Sequence, residues 1–106
     1  MNLNQLTYFV TLAQIENYTR AAKRLDITQP SLSHAISNLE KELQVPLFER
    51  HGRNVTMTKY GEMFLKYVQD SLHILNLGVE RIQEAARIPG GSISIGYIHT
   101  QGRRFI

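Results

Sequence analysis

The chain has 106 residues, 42% hydrophobic and 20% charged, with a net charge of +3; this is the profile of one small globular domain with an appendage. It holds no cysteine, which excludes disulfides and thiolate metal sites. The modest positive charge permits a polyanionic partner without demanding one, the opening residues lack the basic-then-apolar order of a secretory signal, and no run of about 18 apolar residues offers a membrane span, so a cytoplasmic protein is the expectation.

Leu3, Leu6, Phe9, Val10 and Ala13 recur at helical spacing and predict a first helix over 4–15. Asn17 is a good N-cap for a short second helix over 18–25. Its Ala21, Ala22 and Leu25 point inward, small enough for a close crossing, while Arg20, Lys23 and Arg24 point elsewhere. Residues 26–27 leave room only for a tight connection. Thr28 then caps a third helix, with Pro30 in the first turn, where its missing N–H costs little. At about 100° per residue, Leu32, Ile36, Leu39 and Leu43 share an arc of roughly 60°. Gln29, Pro30, Ser33, His34, Ser37, Asn38 and Lys41 lie on the other side. Short donors and acceptors dominate the start of that second face, so it can approach a surface closely and read hydrogen-bonding groups there. Two helices joined by so short a turn form a helix-turn-helix, although an ordinary helical hairpin in a bundle has the same spacing.

The stretch beyond the third helix separates the two readings. Val45-Pro46 ends that helix. Residues 47–50 and 54–58 can each be a short strand, with His51-Gly52-Arg53 turning between them. A two-stranded wing after a helix-turn-helix makes a winged helix, and Arg50 and Arg53 flank its tip. Thr58 caps a further helix predicted over 59–87, with Glu62 at its positive end. Phe64, Val68, Leu72, Leu75, Val79, Ile82 and Ala86 make one apolar seam along it. A second copy of the chain is the simplest partner for such a seam; the rest of a longer chain is the other. Gly78 weakens this helix or admits a close neighbour. Residues 88–92, rich in Pro and Gly, read as a hinge, and 92–98 alternate like the first strand of another domain.

Together these pieces resemble the DNA-binding domain of LysR-type transcriptional regulators of bacteria. The residues that carry the resemblance are Leu6-Thr-Tyr-Phe9, Tyr18-Thr-Arg-Ala-Ala-Lys-Arg-Leu25, Thr28-Gln-Pro-Ser-Leu-Ser33, Ile36, Leu39-Glu40, Leu43, Leu47-Phe-Glu-Arg50, and Thr56-Met-Thr58 with Gly61. The resemblance implies a mainly α chain: a winged helix-turn-helix over 1–58, a dimerisation linker helix over 59–87, and over 88–106 a hinge and first strand of an effector-binding domain otherwise absent. The chain accordingly reads as a truncated or incomplete gene product. Two residues depart from the family pattern: Glu16, where glycine is frequent, and His34, where arginine is common. Histidine makes a shorter, single contact than the bidentate arginine–guanine pair.

The mechanism expected on this basis is sequence-specific binding of double-stranded DNA, with the third helix in the major groove. Gln29, Pro30, Ser33, His34 and Ser37 are the candidates for base edges. Thr19, Arg20, Thr28, Ser31, Asn38, Lys41, Arg50 and Arg53 are the candidates for the DNA backbone or, on the wing, the minor groove. Phe64, Val68, Leu72, Leu75, Val79 and Ile82 are expected to join a homodimer, and the family suggests a tetramer for a full-length member. No membrane partner and no cofactor is expected in this chain; a small-molecule effector belongs to the missing domain. The four histidines, His34, His51, His73 and His99, are scattered and unpaired with carboxylates at ligand spacing, so neither catalysis nor a metal site is expected. A winged-helix protein-interaction module remains the competing class, but Gln29, Ser33, His34 and Ser37 are not the large apolar anchors such a surface needs.

Overall fold

The computed structural model describes residues 1–87; the hinge and strand expected over 88–106 lie outside them. The elements run α1 (Leu3–Ile15), α2 (Tyr18–Leu25), α3 (Gln29–Leu43), β1 (Phe48–His51), β2 (Asn54–Met57) and α4 (Lys59–Ala86). They fall into a first compact unit, Met1–Gln69, and a second that begins at Asp70. Among the described residues, no helix is long and apolar enough to cross a membrane.

Local capping chemistry sets the helix starts. The Asn2 side chain accepts from the Gln5 N–H at 2.8 Å, so α1 begins at Leu3, one residue earlier than its periodicity predicts. Asn17 accepts from the Arg20 N–H at 2.9 Å and Thr28 from the Ser31 N–H at 3.2 Å, which opens α2 and α3. Thr58 accepts from the Gly61 N–H at 3.1 Å and donates its hydroxyl to the Pro46 carbonyl at 2.6 Å, so the α4 cap is itself tied to the end of the preceding loop.

The first three helices all end in the left-handed region, at Glu16 (φ 62°), Asp26 (φ 58°) and Gln44 (φ 63°). None of the three is glycine, the residue that adopts this conformation without a Cβ penalty. The glycine that the resemblance leads one to expect at position 16 would take this conformation without that penalty. Glu16→Gly is expected to stabilise the chain by about 1 kcal/mol, read as a rise of several degrees in melting temperature.

Phe9, Leu12, Leu32, Ile36, Leu39, Leu47 and Val55 are fully buried. Phe9 sits at the centre, with the Phe48 and Phe64 rings each 5.5 Å from its own in tilted contacts. The apolar arc of α3 is therefore core, except that Leu43 is only half-buried. The seam expected to run unbroken from Phe64 is divided. Phe64 touches Phe9, and Val68 is 3% exposed within the single chain. These two residues fasten the start of α4 to its own domain, and Val68 has almost no surface left for another copy. In the second unit, Ile74 (66% exposed), Leu75 (37%), Leu77 (41%) and Ile82 (61%) keep apolar area in water.

The strands pair antiparallel, Phe48↔Met57 through His51↔Asn54. The loop is therefore the two residues Gly52 and Arg53, with glycine first at φ 67°, the place where a tight hairpin of the II′ kind requires it. β1 starts at Phe48, one residue later than predicted, because the Leu47 N–H goes to the Glu40 carboxylate rather than to a strand partner. Glu40 Oε2 accepts from the Leu47 N–H at 2.6 Å and the Phe48 N–H at 3.2 Å. These are charge-assisted bonds in a part-buried place, and they lock the end of α3 to the root of the wing.

Candidate nucleic-acid interface

α3 turns its polar side away from the core. Pro30, His34, Ser37, Asn38 and Lys41 are exposed, and Gln29 and Ser33 half-buried. Two residues at its start are bonded to each other: the Thr28 hydroxyl donates to Ser31 Oγ at 2.8 Å while accepting from the Ser31 N–H. Further along, the Asn38 amide donates to His34 Nε2 at 3.2 Å, one helical turn apart. An imidazole ring N–H on this exposed face suits a single acceptor such as guanine O6 or a purine N7.

The two wing arginines are in different situations. The Arg50 guanidinium lies 4.3 Å from the centroid of the Tyr18 ring, and its Nε donates to the Gly52 carbonyl at 3.1 Å. The contact with Tyr18 braces the hairpin against α2. Burial pushes the Tyr18 hydroxyl up from its ordinary pKa, with Arg50 pulling the other way and Glu40 adding to the rise. Arg53 is exposed at the tip and has no side-chain partner among the described residues. His51 Nε2 lies 3.4 Å from Thr56 Oγ1 across the hairpin.

A polar cleft of about 190 Å³ separates wing from helix, lined by Tyr18, Ser33, Ser37, Glu40, Phe48, Arg50 and Val55. The predicted readers Ser33 and Ser37 and the predicted backbone contact Arg50 are thus on one surface. On α2, Thr19 is half-buried and Arg20 exposed. Arg20 shares a shallow depression with Lys23, Arg24 and Ile15. Lys23 and Arg24 were absent from the predicted sites, yet they extend the same cationic surface. Among the described residues, no group of three His, Asp or Glu side chains could hold a metal ion.

The wing is also stitched to the corner between α1 and α2. The Tyr18 N–H donates to the Arg53 carbonyl at 2.9 Å, the Val55 N–H donates to the Glu16 carbonyl at 2.9 Å, and Asn17 faces Asn54 as an antiparallel bridge pair. Sequence reasoning missed Tyr18, Glu40 and Asn54 in these roles. The signal was slight: a tyrosine beside a cap, and an acid near the end of a helix with few others.

The model of the family described as "Bacterial regulatory helix-turn-helix protein, lysR family" matches residues 3–62. The chain is 43% identical over 106 residues to the HTH-type transcriptional regulator YybE of Bacillus subtilis (strain 168), covering all of this chain and 36% of that protein. It is 37% identical to the HTH-type transcriptional regulator AlsR of the same organism, again over all of this chain and 35% of the relative. The chain therefore spans about a third of the length of these curated relatives. Among solved structures it is similar to the BenM DNA-binding domain bound to catB site 1 DNA, with a TM-score of 0.78, 38% identity, and coverage of 82% of this chain and 94% of that one. It is similar too to the CbnR DNA-binding domain in complex with DNA, with a TM-score of 0.77, 35% identity, and coverage of 81% and 99%.

Proposed function

The chain belongs to the lysR family of bacterial regulatory helix-turn-helix proteins, and from that premise we propose that it is a sequence-specific DNA-binding transcriptional regulator. One observation carries the reading. The polar face of α3, free of large apolar anchors, lies on the same compact unit as a hairpin whose tip carries Arg53 without a side-chain partner among the described residues. A helix of that chemistry enters the major groove, and an unpaired arginine on a wing takes phosphate or the minor groove. The similar domains of BenM and CbnR were solved with DNA, which supports the same use here.

Gln29, Pro30, Ser33, His34 and Ser37 are the proposed base contacts. Gln29 suits adenine, Pro30 a thymine methyl, and His34 a single acceptor. Thr19, Arg20, Thr28, Ser31, Asn38, Lys41 and Arg53 are the proposed backbone contacts. Arg50 acts chiefly by bracing the hairpin, with any phosphate contact secondary to its place over Tyr18. A homodimer through the outer part of α4 is part of the proposal, supported by the exposed Leu75 and Ile82. It would read two half-sites related by a dyad. A cytoplasmic site of action, and a small-molecule effector bound by parts of a full-length protein beyond this chain, complete the reading. A non-catalytic role accords with relatives that are all named as regulators.

Selection from a random duplex pool, followed by electrophoretic shift against nonspecific competitor, tests it. The expected result is one enriched motif with two half-sites, bound at least a thousandfold more tightly than competitor. Retention of all duplexes alike would leave only a basic protein-interaction module.

A further inference from the structure

Taking the chain as a DNA binder, we propose that Asn17 is a positioning residue for the wing: its carboxamide sets where Arg53 stands relative to the recognition helix. Both ends of that carboxamide are in use. Oδ1 accepts from the Arg20 N–H at 2.9 Å and so caps α2, while Nδ2 donates to Asn54 Oδ1 at 2.9 Å. Asn54 is the first residue of β2, next to Arg53. One side chain therefore joins the first helix of the helix-turn-helix to the residue that follows the proposed DNA-contacting arginine.

The hairpin needs such a tie. A two-stranded ribbon by itself is marginal in water. In this one only Val55 is buried; Phe48 and Met57 are half-buried at the root, and every residue from Glu49 to Asn54 is exposed. Apolar packing fixes the base and leaves the tip free to swing. Polar links hold the tip. The Arg53 carbonyl accepts from the Tyr18 N–H and the Glu16 carbonyl from the Val55 N–H, both at 2.9 Å, and the Asn17–Asn54 amide bond lies between these two backbone bonds in sequence. The Arg50 guanidinium over the Tyr18 ring braces the hairpin on its β1 side. The Asn17–Asn54 bond adds a side-chain attachment on the β2 side, next to Arg53. Arg53 is then held by its main chain, and its guanidinium is left for a phosphate.

Serine separates the two jobs of Asn17. It caps a helix as well as asparagine does, but it has no amide to reach Asn54. In the whole chain, Asn17→Ser is expected to melt close to the parent temperature. On a duplex selected by the parent chain it should bind about five- to tenfold more weakly, with the slope of log affinity against log salt reduced by about one, the size of a lost phosphate contact. Asn54→Ala removes the same bond from the wing side, leaves the α2 cap intact, and should match it. In an Arg53→Ala background, Asn17→Ser should add no further loss, because the group it positions is gone. Parent-like affinity and salt slope for both Asn17→Ser and Asn54→Ala would overturn the proposal. So would losses that add in full to that of Arg53→Ala. A parent chain that enriches no duplex would overturn the DNA-binding reading itself, and this role with it; a parent chain that binds alongside equally competent variants would overturn the positioning role alone.

Discussion

Gly61→Ala is expected to cost the first compact unit about 3 kcal/mol or more, near the upper end of what overpacking inflicts. Gly61 is buried in the first turn of α4, and a Cβ there would run into the Leu47 carbonyl oxygen while standing 3.2 Å from the Leu47 carbonyl carbon and 3.2 Å from Met57 Cβ. The obstacle is main chain and cannot swing aside. The Leu47 carbonyl accepts from the Thr58 N–H at 3.0 Å, and the Leu47 N–H is held by Glu40 at 2.6 Å, so the peptides on both sides are fixed. To make room, the start of α4 must lift, and the Phe9–Phe64 contact opens with it. A unit of this size has only about 4–10 kcal/mol to lose, so the melting temperature should fall by roughly 15 °C. The same substitution at Gly78 is the control, because nothing lies within 4 Å of a Cβ built there. Gly78→Ala should gain up to about 1 kcal/mol from helix propensity. Opposite signs from one chemical change would show that the cost at Gly61 is steric. Two similar melts would mean that α4 and the wing root approach less closely than these distances require.

What the sequence disclosed and what it hid divide along the range of the interactions. Asn17, Thr28 and Thr58 were legible as caps because capping is settled within three residues. The inward arc of Leu32, Ile36 and Leu39 was legible because helical period alone decides which side chains share a face. The start of β1 was misplaced by one residue because Glu40, seven positions earlier, takes the Leu47 N–H. Arg50 read as a wing cation like Arg53, and only the fold brings Tyr18, 32 positions away, beneath its guanidinium. Phe64 and Val68 show the same limit in the α4 seam. Periodicity reports that a face is apolar and says nothing of which surface covers it. Here Phe64 meets Phe9 and is half-buried, Val68 is buried within the single chain, and Leu75 and Ile82 further on keep area for another molecule. Ile74 and Leu77, which the seam spacing passed over, are as open to water as residues within it. Glu16 was legible as a departure from glycine, but its φ of 62° was not.

Leu75→Asp is expected to turn the chain into a monomer and to weaken its hold on a duplex with two half-sites by about 10²–10⁴-fold, the usual scale of lost bivalency. Leu75 is 37% exposed in the single chain, so an aspartate there meets water in the isolated protomer, and the melting of the first unit should not change. Any large effect must come through a second copy. In a symmetric pair the substitution appears twice. Each copy forfeits about 1.5–3 kcal/mol of leucine burial and must desolvate a carboxylate besides. Val68→Asp makes the contrast: at 3% exposure within its own chain it should unfold the domain outright, so its loss of binding would say nothing about pairing. Sedimentation gives the oligomeric state, and titration against duplexes carrying one or two half-sites gives the affinities. Affinity for a single half-site should be unchanged in Leu75→Asp, because the reading head of each protomer is intact. Parent-like affinity for the two-half-site duplex, or a mutant that still sediments as a dimer, would remove the outer part of α4 from the interface. The exposed apolar residues from Ile74 to Ile82 would then need a cover other than a second copy of this chain.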